Sequence, residues 1–358
     1  MKVAVAGAGW SGLLLACKLS EYEDVEVYEP NRKPKAVCAC GIPTSFFSEL
    51  ARDYGLKPEN YILWKPNSLI MDFNGKMTVT VKVGDLCTFD KQAFMDDLYS
   101  ICDAKFHFRK HFPLSKISDY DLVVDATGIR AILGKNSDDR YYITYQEKVR
   151  FKELPCDGLY FQFINPEEKY LWLFPLSENE AYVGAASTIK VNNAVERVRH
   201  FLKKFHHTTL QRQAKLLRCD YKNLPIVKGK IVGVGNSIDA ITSLGEGNQP
   251  SAQTVKILLE NLYDLNQYER QVRKELSWIK HDHAAYNAWA KNQKIRTFYH
   301  MLKLRKIYRE RFKASFDIRL LMVNLLDNLD YFGLLPRIHR LNCSGKRSLR
   351  SNPKIFHG

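Results

Sequence analysis

A glycine-rich turn between an apolar strand and a helix, at the very start of the chain, constrains the fold more than any other feature. Residues 2 to 6 (KVAVA) form a short apolar strand and Gly7-Ala8-Gly9-Trp10-Ser11-Gly12 follows. LLLACKL then supplies a helix suited to burial, and VEVYE is a second strand ending at Glu29. The GxGxxG spacing has physical meaning in this setting. Gly7 permits the tight turn, Gly9 lets backbone amides approach a pyrophosphate, and Gly12 allows the helix to pack closely on the strand. The helix opens at Trp10 and Ser11, so its positive end faces phosphate charge. Glu29 stands where it can accept hydrogen bonds from ribose hydroxyls and disfavours a 2′-phosphate. A dinucleotide site is expected, with a merely structural turn as the other reading.

Further along, residues 61 to 83 hold two strand-like stretches around the turn Asn74-Gly75, the second alternating with period two. FDKQAFMDDLYSI at 89 to 101 reads as an amphipathic helix and DLVVDATG at 121 to 128 as a buried strand running into a glycine turn. LYFQFI, YLWLFPL and AYVGAAS, between 141 and 189, join the 61 to 83 hairpin in a second, largely antiparallel sheet. Residues 191 to 217 read as helical. KIVGVGNS returns to a strand, a helix follows at about 250 to 263, and from about 264 onward the pattern is helical, basic and aromatic.

At 358 residues, 45% of them hydrophobic, the chain can bury a substantial core and is too apolar for disorder to dominate. No apolar run approaches the roughly 18 to 20 residues that span a bilayer, and no cleavable signal precedes the first strand, so a cytoplasmic location is expected. The eight cysteines lack paired CxxC spacing and read as reduced thiols. Neither His206-His207 nor His281-Asp282-His283 has the i, i+4 spacing of a helical metal site, so no metal is expected. The net charge of +15 is concentrated: from Lys291 onward there are 16 Lys and Arg against four acids.

Two distant segments favour FAD over NAD. Asp125-Ala126-Thr127-Gly128 closes a strand as the ATG segment does in FAD enzymes. Gly233-Val234-Gly235-Asn236 through Gly245-Glu246-Gly247-Asn248 resembles their late glycine-rich segment, with Asn236 where Asp is usual. Tyr170-Leu171-Trp172-Leu173-Phe174-Pro175, separated by eight residues from Gly184, is similar to the YxWxFP signature of the geranylgeranyl reductase family. Cys40-Gly41 resembles that family's cysteine-glycine loop. Asp90-Lys91-Gln92-Ala93-Phe94 resembles its Asp-Arg-x-x-Phe, with Lys91 in place of Arg.

The resemblance covers roughly residues 1 to 262 and implies an α/β, p-hydroxybenzoate hydroxylase-like fold. A Rossmann-like FAD-binding domain (1–60, 85–135, 222–262) would carry an inserted, mainly antiparallel substrate domain (61–84, 136–221), followed by a basic helical region (263–358). It also implies that reduced FAD saturates double bonds of a prenylated lipid, prenyl diphosphate or quinone, with electrons from ferredoxin or a nicotinamide. Gly41, Lys91, Thr127, Gly128, Gly235, Asn236, Gly245, Gly247 and Asn248 would join the first loop around FAD. A flavin monooxygenase on the same fold is the first rival, and a non-catalytic flavoprotein or nucleic-acid-binding protein the second.

On a strand, Tyr170, Trp172 and Phe174 share one face, and three rings in a row make a dry wall for an apolar chain as well as ordinary sheet core. Cys40 is the side chain that the resemblance brings near the flavin, to donate a proton, position substrate or tune redox chemistry; an inert core residue is the alternative. Cys38 would point the other way if the segment were extended. In the C-terminal region, basic residues interleave with aromatics and aliphatics. A solvated helical face is the bland reading, and no nucleic-acid module accompanies them; because the resemblance implies a prenyl-lipid enzyme that collects substrate from a membrane, peripheral contact with an anionic membrane is the expected partner.

Overall fold

The structure, a computed structural model, describes residues 1–73, 75, 78–133, 141–163, 170–188, 190–218 and 221–314. The apolar runs of the N-terminal half become buried parallel strands. Lys2–Ala6 lies between Asp24–Glu29 on one side and Leu122–Asp125 on the other, with Lys105–Phe108 and Ile231–Gly233 beyond them and Val227–Lys228 as an antiparallel edge. Continuous Val and Ala in such strands reflects burial on both faces. The helix Trp10–Leu19 packs over this sheet beside Lys91–Ser100 and Asn248–Glu260, and Leu13, Leu14, Leu15 and Leu19 are fully buried there. Asp90 caps the middle helix, its carboxylate accepting a hydrogen bond from the Ala93 amide.

The second sheet has seven strands in the order His207–Arg218, Tyr141–Phe151, Glu180–Ser187, Tyr170–Pro175, Leu159–Phe163, Ser68–Phe73 and Thr78–Lys82. Every neighbouring pair is antiparallel except Leu159–Phe163 with Ser68–Phe73. One face packs under the helix Val191–Leu202 and the other faces the first sheet across a large cavity. The chain thus has the α/β fold with a parallel Rossmann-like sheet, an inserted antiparallel sheet and a helical C-terminal part. Ile62–Trp64 belongs to neither large sheet; it pairs with Cys87–Phe89 in a small three-stranded ribbon completed by Gly41–Ile42.

One expectation is corrected. The helix read over 191 to 217 stops at Leu202, and His207–Arg218 is a twelve-residue strand paired with Tyr141–Phe151. As the edge of the sheet it is mostly exposed, so its sequence lacks the apolar alternation that marks a half-buried strand.

Past the last strand come Leu265–Glu275, Ser277–Ala290 and Lys294–Phe312. The expected C-terminal region beyond 314 lies outside the described residues. Among the described residues no helix is long and apolar enough to cross a membrane.

The far end of the edge strand is pinned to the loop before Asn248–Glu260. Arg218 donates from Nη1 to Asp239 Oδ1 at 3.1 Å, with both side chains almost wholly out of water. Asp239 Oδ2 also accepts from the Lys222 amide. Removing one member of a buried pair leaves the other charge without this compensation, so Asp239→Ala is expected to lower the unfolding free energy by about 3–5 kcal/mol. Chemical denaturation followed by far-UV circular dichroism checks this. A loss under about 1 kcal/mol would remove the pair from the framework.

Candidate functional site

The site begins at the glycine loop. Gly7 has φ of +105°, and a Cβ there would stand 2.6 Å from the Ala126 carbonyl oxygen, so both the turn and the close approach to the neighbouring strand end require glycine. At Gly12 an added Cβ would collide with the Gly7 carbonyl oxygen. Gly9 differs: a Cβ would meet nothing within 4 Å, because that side of the loop opens into the cavity. The glycine hydrogen thus faces space that a pyrophosphate would fill, at the start of Trp10–Leu19. Glu29 is buried; its Oε2 accepts from the Ala8 amide at 2.8 Å and its Oε1 from the Asn31 amide and side chain. A carboxylate has about four acceptor positions. Three are used, leaving room at Oε2 for a ribose hydroxyl.

Asn248 joins the segments that surround this loop. Its carbonyl oxygen accepts from Trp10 Nε1 at 2.8 Å, its Oδ1 from Lys91 Nζ at 2.7 Å, and its Nδ2 donates to the Gly41 carbonyl at 3.0 Å. Lys91 Nζ lies 4.6 Å from the centroid of the Trp10 ring, a cation–π contact. Asp125, fully buried, accepts from the Thr127 amide and hydroxyl and from the amides of Ile132 and Leu133, which fixes the turn that carries Thr127 and Gly128.

All of Gly7, Gly9, Trp10, Ser11, Glu29, Gly41, Lys91, Thr127, Gly128, Asn236, Gly245, Gly247 and Asn248 line one cavity of about 1270 Å³. Gly12 and Gly235 do not. They are packing positions: a Cβ on Gly235 would stand 2.2 Å from Ser11 Oγ.

Cys40 also lines the cavity, and so does Cys38, contrary to the extended arrangement expected from sequence. Cys40 has φ of +65°, which folds the segment back so that its amide donates to Cys38 Sγ at 3.2 Å and its thiol to the Cys38 carbonyl. The two thiols are driven apart in acidity. A hydrogen bond from Cys40, with the Lys91 charge and the Asn248 amide, holds Cys38 well below the usual thiol value. Its partnership with Cys38 and burial push Cys40 well above it. Cys40 is therefore the protonated member. Sequence reading missed Cys38 because the left-handed turn at a non-glycine residue leaves no sequence mark.

The opposite wall is aromatic. Tyr170, Trp172 and Phe174 are buried and share the cavity face of their strand, with Phe161 5.3 Å from Phe174 and 5.8 Å from Tyr170 between ring centroids. Tyr170 donates its hydroxyl to the Leu244 carbonyl, tying the wall to the late glycine segment. Trp172 is paired across the strands with Gly184, where a Cβ would come within 2.2 Å of the indole. The glycine beyond YxWxFP is thus the floor on which the indole lies flat.

Two helices close the cavity: Ser277–Ala290 with Tyr286 and Trp289, which sequence reading did not single out, and Lys294–Phe312 with Met301, Leu304, Tyr308 and Phe312, which it sets among the aromatics and aliphatics of the basic membrane-contact region. Arg311 anchors that last helix, donating to Gln249 Oε1 and Glu246 Oε2 at 2.8 Å each and stacking over Trp278. The paired histidines serve structure here. His283 Nε2 lies 2.9 Å from the Ile241 carbonyl oxygen and His281 is beside His300.

No protein-family model matches the chain, and no curated protein sequence matches it. Solved structures do. A geranylgeranyl bacteriochlorophyll reductase-like protein from Thermoplasma acidophilum aligns with a TM-score of 0.63 at 14% identity, covering 82% of this chain and 87% of that one. A p-nitrophenol 4-monooxygenase from Pseudomonas putida aligns at 0.62 and 13%, over 92% and 97%. A probable FAD-dependent monooxygenase from Pseudomonas aeruginosa aligns at 0.60 and 14%, over 84% and 99%. The chain has the FAD-binding, p-hydroxybenzoate hydroxylase-like fold. At these identities the likeness concerns the fold and does not choose between reductase and monooxygenase.

Two outcomes test the site. Gly9→Val adds atoms only toward open space, so the variant is expected to keep the parent melting temperature in the absence of cofactor while losing FAD, read by flavin absorbance after gel filtration. Full flavin occupancy in a folded variant would misplace the pyrophosphate. Iodoacetamide at neutral pH is expected to alkylate Cys38 ahead of Cys40, and Lys91→Met to slow that reaction several-fold, because the neighbouring cation stabilises the thiolate. Peptide mass spectrometry reads both.

Proposed function

We propose that the protein is an FAD-dependent oxidoreductase that saturates double bonds in prenyl chains carried by a lipid precursor, a prenyl diphosphate or a quinone. The observation that carries this reading is the placement of the Tyr170, Trp172 and Phe174 face in the same cavity as the glycine loop, which sets a dry aromatic surface beside the dinucleotide position. The cavity exceeds the roughly 300–1000 Å³ of a typical single-ligand pocket, leaving room for an apolar chain beside the cofactor.

Gly9 and the amides at the start of Trp10–Leu19 would hold the FAD pyrophosphate and Glu29 the ribose. Asn236 and the Gly245 to Asn248 segment would hold the ribityl and ring portion. Bound reduced FAD supplies hydride to one carbon of the alkene, the electrons coming from ferredoxin or a nicotinamide. The chain's own contribution is to exclude water, orient the alkene against the aromatic wall, and offer π faces to positive charge at the more substituted carbon. Cys40, which keeps its proton, is the group assigned to protonate the second carbon, and Cys38 with Lys91 can rebalance charge behind it. The raised pKa keeps the thiol protonated before reaction, at a cost in proton-transfer driving force.

Anaerobic incubation of dithionite-reduced, flavin-loaded protein with geranylgeranyl diphosphate is expected to give products heavier by one H2 per saturated bond. Trp172→Leu and Phe174→Leu should each lower turnover by about tenfold or more while flavin stays bound, because a misplaced substrate reacts slowly. Absence of alkene reduction, together with oxygen inserted into substrate under air, would replace the reading with a monooxygenase.

Substrates of this kind reside in membranes, and the helix Lys294–Phe312 has an outer face suited to one. Ile295, Tyr299 and Leu302 are exposed in a line at i, i+4 and i+7, flanked by Lys303, Arg305, Lys306 and Arg309, while the inner face lines the cavity. Each cation near an anionic surface contributes about 1 kcal/mol. Cosedimentation with anionic vesicles is expected to be salt-sensitive and to fall in a variant with these four cations replaced by Gln. Equal pelleting of both proteins would remove the membrane contact.

A further inference from the structure

Cys38 and Cys40 lie where the polar and apolar halves of the cavity meet. Ala39, between them, packs against the cluster that holds Tyr170, Trp172 and Phe174, and a Cβ on the following Gly41 would stand 3.0 Å from the Phe174 ring. Lys91 and Asn248 stand on the other side. Gln146 Nε2, from Tyr141–Phe151, donates to the Cys38 carbonyl at 3.0 Å and holds the loop against the second sheet. An apolar guest on the aromatic wall therefore has the thiol loop as its neighbour.

The two sulfurs have different surroundings. Cys38 is half-buried, and its Sγ meets the Cys40 amide at 3.2 Å and Asn248 Nδ2 at 3.5 Å. Lys91 can only donate, and it claims Asn248 Oδ1, so the amide turns its Nδ2 toward the sulfur. Two donors and a nearby cation favour the thiolate, which is the nucleophilic form of cysteine. Cys40 is only 4% exposed, and its thiol donates to the Cys38 carbonyl at 3.3 Å. A reagent arriving through the cavity thus meets Cys38 first, with a protonated thiol two positions along the chain and folded back on it by the left-handed turn.

We propose that Cys38 and Cys40 are a second reactive centre, which reduces apolar organic hydroperoxides with Cys38 attacking and Cys40 resolving. The Cys38 thiolate attacks the terminal oxygen of ROOH. An S–O bond forms, the O–O bond breaks, and the alkoxide takes a proton from water and leaves as ROH, with Cys38 now a sulfenic acid. The Cys40 sulfur then attacks the Cys38 sulfur; the S–S bond forms, the S–O bond breaks, and the hydroxyl leaves with the Cys40 proton as water. The sulfur pair loses two electrons and the peroxide gains two. An external dithiol restores both thiols by exchange. The apolar wall beside the pair favours an alkyl or aryl hydroperoxide over hydrogen peroxide and disfavours a charged disulfide. This activity requires the cavity to admit an apolar guest, and it requires no alkene reduction.

The test uses the full chain with its flavin oxidised and one equivalent of cumene hydroperoxide. The parent is expected to release one equivalent of the alcohol. Trypsin frees residues 36–52 as one peptide holding both cysteines, which should then be two hydrogens lighter and closed to iodoacetamide, and dithiothreitol should reopen it. Cys40→Ser should stop at a Cys38 sulfenic acid that dimedone traps, and Cys38→Ser should consume hydroperoxide about tenfold more slowly or less, having lost the thiolate. Hydrogen peroxide at the same concentration should oxidise the parent pair several-fold more slowly. A 36–52 peptide that stays reduced would overturn the proposal, and that readout needs no variant. So would a dimedone adduct on Cys38 as abundant in the parent as in Cys40→Ser, or hydrogen peroxide reacting as fast as cumene hydroperoxide. Alkene reduction is not part of the readout, so failure of the prenyl reading leaves this result intact, and the reverse holds.

Discussion

Asn248 is the point through which the rest of the site is assembled. Its backbone and side chain bond to Trp10, Gly41 and Lys91, residues more than 150 positions away in the chain. It draws together the glycine turn, the cysteine loop, the capped helix at Lys91–Ser100 and the start of Asn248–Glu260. Buried polar groups are stabilising only when their partners are met, so these bonds make the four segments mutually dependent. Trp10 and Lys91 reinforce the arrangement by stacking. The acidity of Cys38 follows from the same node, since the Lys91 charge and the Asn248 amide both favour its thiolate.

Around that node the cavity is divided by chemistry. The first sheet contributes backbone amides and one carboxylate, which suit phosphates and sugars. The second contributes rings along one strand and hydrogen-bonding side chains along its edge. The C-terminal helices complete the wall: Asp282 accepts from the Ser243 amide and from the Tyr308 hydroxyl, so Ser277–Ala290 braces the late glycine segment from outside while Lys294–Phe312 closes over the rings. The described part of the basic region, Lys294–Phe312, lines the cavity on one face and meets solvent on the other.

What could be read from the sequence follows the range of the forces involved. The strand, turn and helix at the start were legible because local sterics set them, and the aromatic alternation at Tyr170, Trp172 and Phe174 because strand geometry has period two. The strand at His207–Arg218 was not, since an exposed edge carries no apolar pattern and its conformation comes from pairing with Tyr141–Phe151. Cys38 escaped notice because its direction depends on a left-handed Cys40. Tyr286 and Trp289 were invisible as site residues for a third reason: helical packing across more than a hundred positions chose the face they present.

Trp172 and Gly184 illustrate how such a structure can drift over generations. The indole lies where any β-carbon on residue 184 would be, and the bare backbone of Gly184 is shielded from the cavity by that indole. A larger residue at 184 would evict the ring, and a smaller one at 172 would uncover peptide groups in an apolar chamber. Neither change is readily accepted first. Related chains should therefore keep both or alter both, and paired variation at these two positions would mark lineages in which the chamber has been reshaped for a different guest.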